Sequence, residues 1–110
     1  MKKINNENMI LFFLNYINLM NRLKFKSLGV IKWNGYTYKY YSQRVLPGRG
    51  LKIPGRHVEN YFVCDEDDYI CVAAHPNQFD KGEIVDTPFG EGKVYDACPE
   101  YNVIDIYTDF

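Results

Sequence analysis

Beyond residue 28 the chain is cut by turn-forming residues into short apolar runs, none long enough for a helix of ordinary length. Tyr36, Tyr38 and Tyr40 alternate with Thr37, Lys39 and Tyr41, the period of two expected of a strand. Further runs follow as VENYFVC (58–64), YICVAA (69–74), EIVDT (83–87), KVYD (93–96) and VIDIYTD (103–109). Asn34-Gly35 suits a two-residue hairpin turn, because both residues tolerate positive φ. The segments PGRGLKIPGRH (47–57), HPNQFDKG (75–82) and PFGEG (88–92) read as loops or turns. Five or six short strands between such turns predict an all-β barrel rather than alternating strands and helices. With no internal repeat or linker, the chain divides into a helical segment over 1–27 and a barrel domain over 28–110.

The first segment reads MKKINNENMILFFLNYINLMNRLKFK. Ile10, Phe13, Leu14 and Ile17 follow i, i+3, i+4, i+7 spacing, which predicts an amphipathic α-helix packed on the barrel. Asn15 and Asn18 interrupt the apolar stretch, which is too short and too polar to span a bilayer. No small-residue cleavage site follows, so it reads poorly as a signal peptide. The expected location is the cell wall or extracellular space if the chain is exported.

Charge is unevenly distributed. Residues 1–57 carry eleven Lys/Arg and one acid, Glu7, whereas residues 58–110 carry two lysines and thirteen Asp/Glu. Two arrangements are consistent with this: halves that fold together and mix their charges, or a basic face kept apart from an acidic site. The stretch YTYKYYSQR combines rings with cations, as single-strand binders do, but the acidic second half argues against nucleic acid as the partner.

Cys64, Cys71 and Cys98 form an odd set with no CxxC pair. Cys71, His75 and His57 are too loosely spaced for a zinc site, so no metal or cofactor is expected. Cys71 reads as a small buried hydrophobe, and a Cys71–Cys98 bridge would suit an exported protein rather than a cytosolic one. The run Asp65–Asp68 resembles the start of a calcium loop but has Ile70 where the glycine belongs, and reads as a solvated acidic turn.

The last nineteen residues, GKVYDACPEYNVIDIYTDF, end two apolar runs on carboxylates, Asp96 and Asp105. Such acids either pin turns through backbone amides or do chemistry. Together with VAAHPNQFDKGEIVDTPFGE before it, this stretch resembles the three-aspartate (3D) domain of the double-psi β-barrel superfamily. That domain type includes lytic transglycosylase A and the stationary-phase survival cell-wall enzymes. GKVYDA is similar to the family's second aspartate motif and VIDIY to its third, while Pro76 and Gly82 match its loop. The resemblance covers about residues 69–110, with a weaker match at YTYKYYSQ. His75 stands where the family has its first aspartate, and Asp96-Ala97-Cys98 where it has Asp-Thr-Gly.

The resemblance implies a six-stranded double-psi β-barrel and activity on the glycan strands of peptidoglycan. On that reading Asp96 is the acid/base of a lytic transglycosylase and Asp105 its tuning partner. Two carboxyls close together would raise the pKa that such an acid needs. Tyr41 and His75 would line the cleft, with the tyrosines of 36–41 as platforms for sugar rings. The competing reading is a non-catalytic barrel that binds glycan or a protein partner.

Overall fold

The computed structural model describes residues 6–43 and 52–110. Residues 44–51, which include the first five residues of the Pro/Gly loop, lie outside the described residues, as do residues 1–5. Helix α1 (Asn6–Leu28) is followed by eight strands. They are β1 (Val30–Trp33), β2 (Tyr36–Ser42), β3 (His57–Glu59), β4 (Phe62–Cys64), β5 (Ile70–Ala74), β6 (Ile84–Thr87), β7 (Gly90–Ala97) and β8 (Val103–Thr108). The protein is therefore mostly β with an N-terminal helix, with eight described strands where five or six are expected.

One curled, mixed sheet holds all eight strands, in the order β1-β2-β8-β4-β5-β7-β6 with β3 on β4. Strand β8 is its hub. One edge pairs in parallel with β2, and the other meets β4 at Thr108 and β5 at Ile104 to Ile106. Strand β7 runs parallel to β5 and antiparallel to β6. The parallel pairs join strands far apart in sequence, which local turn signals cannot specify.

Two turns depart from the sequence reading. The Asn34-Gly35 hairpin forms as expected, with φ of 50° and 84° and Trp33 opposite Tyr36. The run 58–64, read as one strand, is instead broken at Asn60-Tyr61, whose φ values are 51° and 72°. Glu59 then faces Phe62 across a second two-residue hairpin. A tyrosine at positive φ is uncommon, so the sequence carried only Asn60 as a signal. Likewise Gly90 and Gly92, expected in a turn, lie within β7; the β6–β7 turn is Pro88-Phe89, with Thr87 opposite Gly90.

The sheet has a core on each face. On the concave side Phe25, Tyr38, Phe62, Cys64, Ile70, Val72, Ala74, Val85, Val94, Ile104 and Ile106 pack together. Tyr38 reaches across this interior and donates its hydroxyl to the Asp86 carbonyl at 3.0 Å, tying β2 to β6. On the other side Ile53, Val63, Cys71, Ala73, Cys98, Val103 and Tyr107 form a smaller cluster. All three cysteines are free and buried.

The helix departs from expectation. Phe25 is its one buried residue, enclosed by Tyr40, Phe89 and Phe110. Every large apolar side chain from Met9 to Leu23 is exposed, including the predicted packing face Ile10, Phe13, Leu14 and Ile17. Apolar residues surround the helix instead of forming one stripe, so no single face can be covered by the sheet. The Gly29 amide closes its last turn onto the Phe25 carbonyl. No described helix is long and apolar enough to cross a membrane.

Candidate functional site

The strand periods alone would separate the two aspartates. Along β8, Ile104 and Ile106 enter the concave core while Val103, Asp105 and Tyr107 face the other side. Along β7, Val94 lies in the concave core, so strict alternation would send Asp96 there too. A bulge prevents this. Val72 pairs with Val94, but the next residue, Ala73, pairs with Asp96, leaving Tyr95 as the extra residue. Asp96 is thereby turned onto the face that carries Asp105. Ala73 also pairs with Asp105, so one row crosses the sheet as Lys39, Asp105, Ala73 and Asp96.

The two carboxylates are thus two strands apart. At the usual strand spacing their Cα atoms are separated by roughly 9–10 Å, with Ala73, buried against Cys98 and Tyr107, on the strand between. Tyr107 links them: its hydroxyl donates to Asp96 Oδ2 at 3.3 Å, and it stands two residues from Asp105 on β8. Asp96 also accepts its neighbour Ala97's amide at 2.8 Å, and its side chain is exposed.

Asp105 is half-buried. Burial raises its carboxyl above the ordinary value; the Cys98 thiol, which donates to it, and Lys39 pull it back, and Glu100 adds to the rise. Asp96 is not among these influences, so burial supplies the effect that like-charge repulsion between the pair was expected to give. Lys39 also pairs with Glu100 at 3.6 Å, one instance of basic and acidic halves mixing their charges. Tyr107 is itself pushed well up by burial, then by Asp96 and Asp105.

Tyr41 belongs to this face. It pairs with Tyr107 in register, their rings 6.1 Å apart and edge-on, and it is 44% exposed. The other tyrosines of β2 do not serve as platforms. Tyr38 is buried, and Tyr36 and Tyr40 pack against the concave core, because alternate residues of β2 must fill it. His75, just past the end of β5, stacks on Tyr101 with centroids 4.0 Å apart and accepts the Asn77 amide on Nδ1 at 3.1 Å. Among the described residues its hydrogen-bond and ring partners do not include either aspartate. The structure therefore brings together Asp96, Asp105 and Tyr41, and leaves His75 in a separate aromatic pair.

Four participants were not singled out beforehand: Tyr107, Cys98, Lys39 and Glu100. Tyr107 was legible in principle, two residues from Asp105 on one strand; the others required the pairing of β2 with β8 and the loop after β7. Asp65, expected in a solvated turn, is buried. Its Oδ1 accepts the amides of Asp67 and Tyr69 at 2.9 and 3.0 Å, and Oδ2 accepts the Tyr95 hydroxyl at 2.6 Å. It anchors the bulge residue that reorients Asp96. No family model, curated protein or solved structure matches this chain.

Proposed function

We propose that this protein acts on the glycan strands of peptidoglycan, as a lytic-transglycosylase-like enzyme with an aspartate acid/base on a barrel of the double-psi type. The observation that carries the reading is the shared placement of Asp96 and Asp105 on either side of Ala73, one exposed and one half-buried with a raised pKa. The interleaving of two parallel pairs, β2–β8 and β5–β7, through β5–β8 supports the barrel type.

The environments favour exchanging the roles that the resemblance implies. Asp105, held protonated more readily by burial, is the acid that gives its proton to the glycosidic oxygen as the bond to the anomeric carbon breaks. The resulting carboxylate then takes the proton of the sugar's own 6-hydroxyl, whose oxygen closes on the anomeric carbon to give a 1,6-anhydro product. Asp96, oriented by Tyr107, steadies positive charge at that carbon. The exposed ring of Tyr41 offers a sugar contact, and the stacked His75–Tyr101 pair a further one past the end of β5.

Digestion of purified cell walls, read by mass spectrometry, tests this. Wild-type protein is expected to release 1,6-anhydro-muropeptides, Asp105→Asn to release none, and Asp96→Asn to release less. Intact walls with the wild type would rule the enzyme out.

A second reading, a glycan-binding barrel without catalysis, is favoured by the two hydrogen bonds that already occupy Asp96. Co-sedimentation with walls and no released product would select it.

A further inference from the structure

The β3–β4 hairpin gathers a second polar cluster on the opposite face of the sheet from the paired aspartates. His57 is the direct partner of Cys64, and Glu59 of Phe62, so His57, Glu59 and Cys64 share the face that carries the concave core. One donor atom from each lies within 4.8 Å of the others. Asp68, in the turn after β4, borders the set through His57 alone: its Oδ1 is 2.9 Å from His57 Nε2, and Glu59 Oε2 is 3.7 Å from the same nitrogen. Spacing along the chain hid this set, since the hairpin matches His57 with Cys64 rather than Cys71.

The geometry points to a zinc-type dication site formed by His57 Nε2, Glu59 and Cys64 Sγ. A nitrogen, a thiolate and a carboxylate are donors that suit zinc; calcium and magnesium prefer oxygen alone. Ligand atoms around tetrahedral zinc stand roughly 3.3–3.8 Å apart, so these three atoms, within 4.8 Å of one another, need to close in by about 1.5 Å at most.

His57 is already set for the task. Its Nδ1 lies 2.9 Å from the Gly55 carbonyl, where it donates, which leaves Nε2 facing two carboxylates.

On binding, the thiol proton and the Nε2 proton pass to solvent.

A cleft of about 160 Å³ adjoins the cluster, lined in part by Glu59, Cys64 and Asp68. Arg22 of α1 and Glu91 of β7 form part of its wall. With one thiolate and one carboxylate the bound dication is neutral, and three protein ligands leave a fourth position for water.

The test is titration of the metal-free full chain with Co²⁺. One equivalent is expected to produce a near-ultraviolet thiolate-to-cobalt absorption, displaced by one equivalent of Zn²⁺. His57→Ala, at a solvent-accessible position, is expected to weaken binding at least tenfold, and Cys64→Ala to remove the band. Should Cys64→Ala fail to fold, the wild-type band and its response to His57→Ala decide alone. A wild-type titration without the thiolate band, or a band unchanged in His57→Ala, overturns the site.

Discussion

Asp96 and Asp105 share one cross-strand neighbour, Ala73, which pairs in parallel with the first and antiparallel with the second. Ala73 itself is 4% exposed, covered by the cluster it forms with Cys98, Val103 and Tyr107. The arrangement rests on the Tyr95 bulge, and Asp65 holds that bulge in turn through the Tyr95 hydroxyl.

Asp105 is expected to make stability depend on pH in a defined direction. Its folded pKa lies above the ordinary 3.8, chiefly because of burial. The protonated form therefore stabilises the fold fully below that value, and the contribution is lost as pH rises through the folded pKa. Asp105→Asn should melt higher than wild type at neutral pH and converge with it near pH 3.8. Thermal melts across that range check this; equal melting at neutral pH would contradict it.

Asp65 should behave in the opposite sense. Burial pushes its carboxyl up, yet the Tyr95 hydroxyl and the amides of Tyr69 and Asp67 outweigh it and hold the pKa below 3.8. Its contribution is present above the ordinary value and lost as pH falls through the lowered one. Asp65→Ala should cost about 2–3 kcal/mol at neutral pH. Urea unfolding of the variant measures this, and glycan activity should fall with it through the displaced bulge.

Gly92 marks a close approach of backbones. A Cβ there would stand 3.1 Å from the Ile70 carbonyl oxygen and 3.2 Å from both Thr87 Cγ2 and Val72 Cγ1. The backbone oxygen cannot give way without shifting β5, so Gly92→Ala is expected to destabilise by about 1–3 kcal/mol. A denaturation midpoint equal to wild type would refute the packing argument.

Phe25 fastens the helix. Its ring is fully buried, with neighbours Phe89 at 5.1 Å and Tyr40 at 5.2 Å between centroids. Phe25→Ala should cost about 3–5 kcal/mol and free the last turn of α1, visible as faster amide exchange at residues 22–28. The alternation of Tyr36 to Tyr41 would persist, since Tyr38 is held independently by Asp86.

Local chemistry in the sequence was enough for the β-rich class, the helix and the Asn34-Gly35 hairpin, because period and turn preference act over a few residues. It also marked Asp96, Asp105 and Tyr41, which the fold gathers on one face. It did not reveal that Tyr36, Tyr38 and Tyr40 would be spent on the core, or that His75 would pair with Tyr101. Nor did it reveal the break at Asn60-Tyr61, where tertiary packing holds a tyrosine in a backbone conformation it rarely adopts. The face on which Asp96 lies was decided by one extra residue, Tyr95, held by Asp65 from thirty positions away. A bulge reverses the sidedness of everything after it, and only contacts between distant strands determine where it forms.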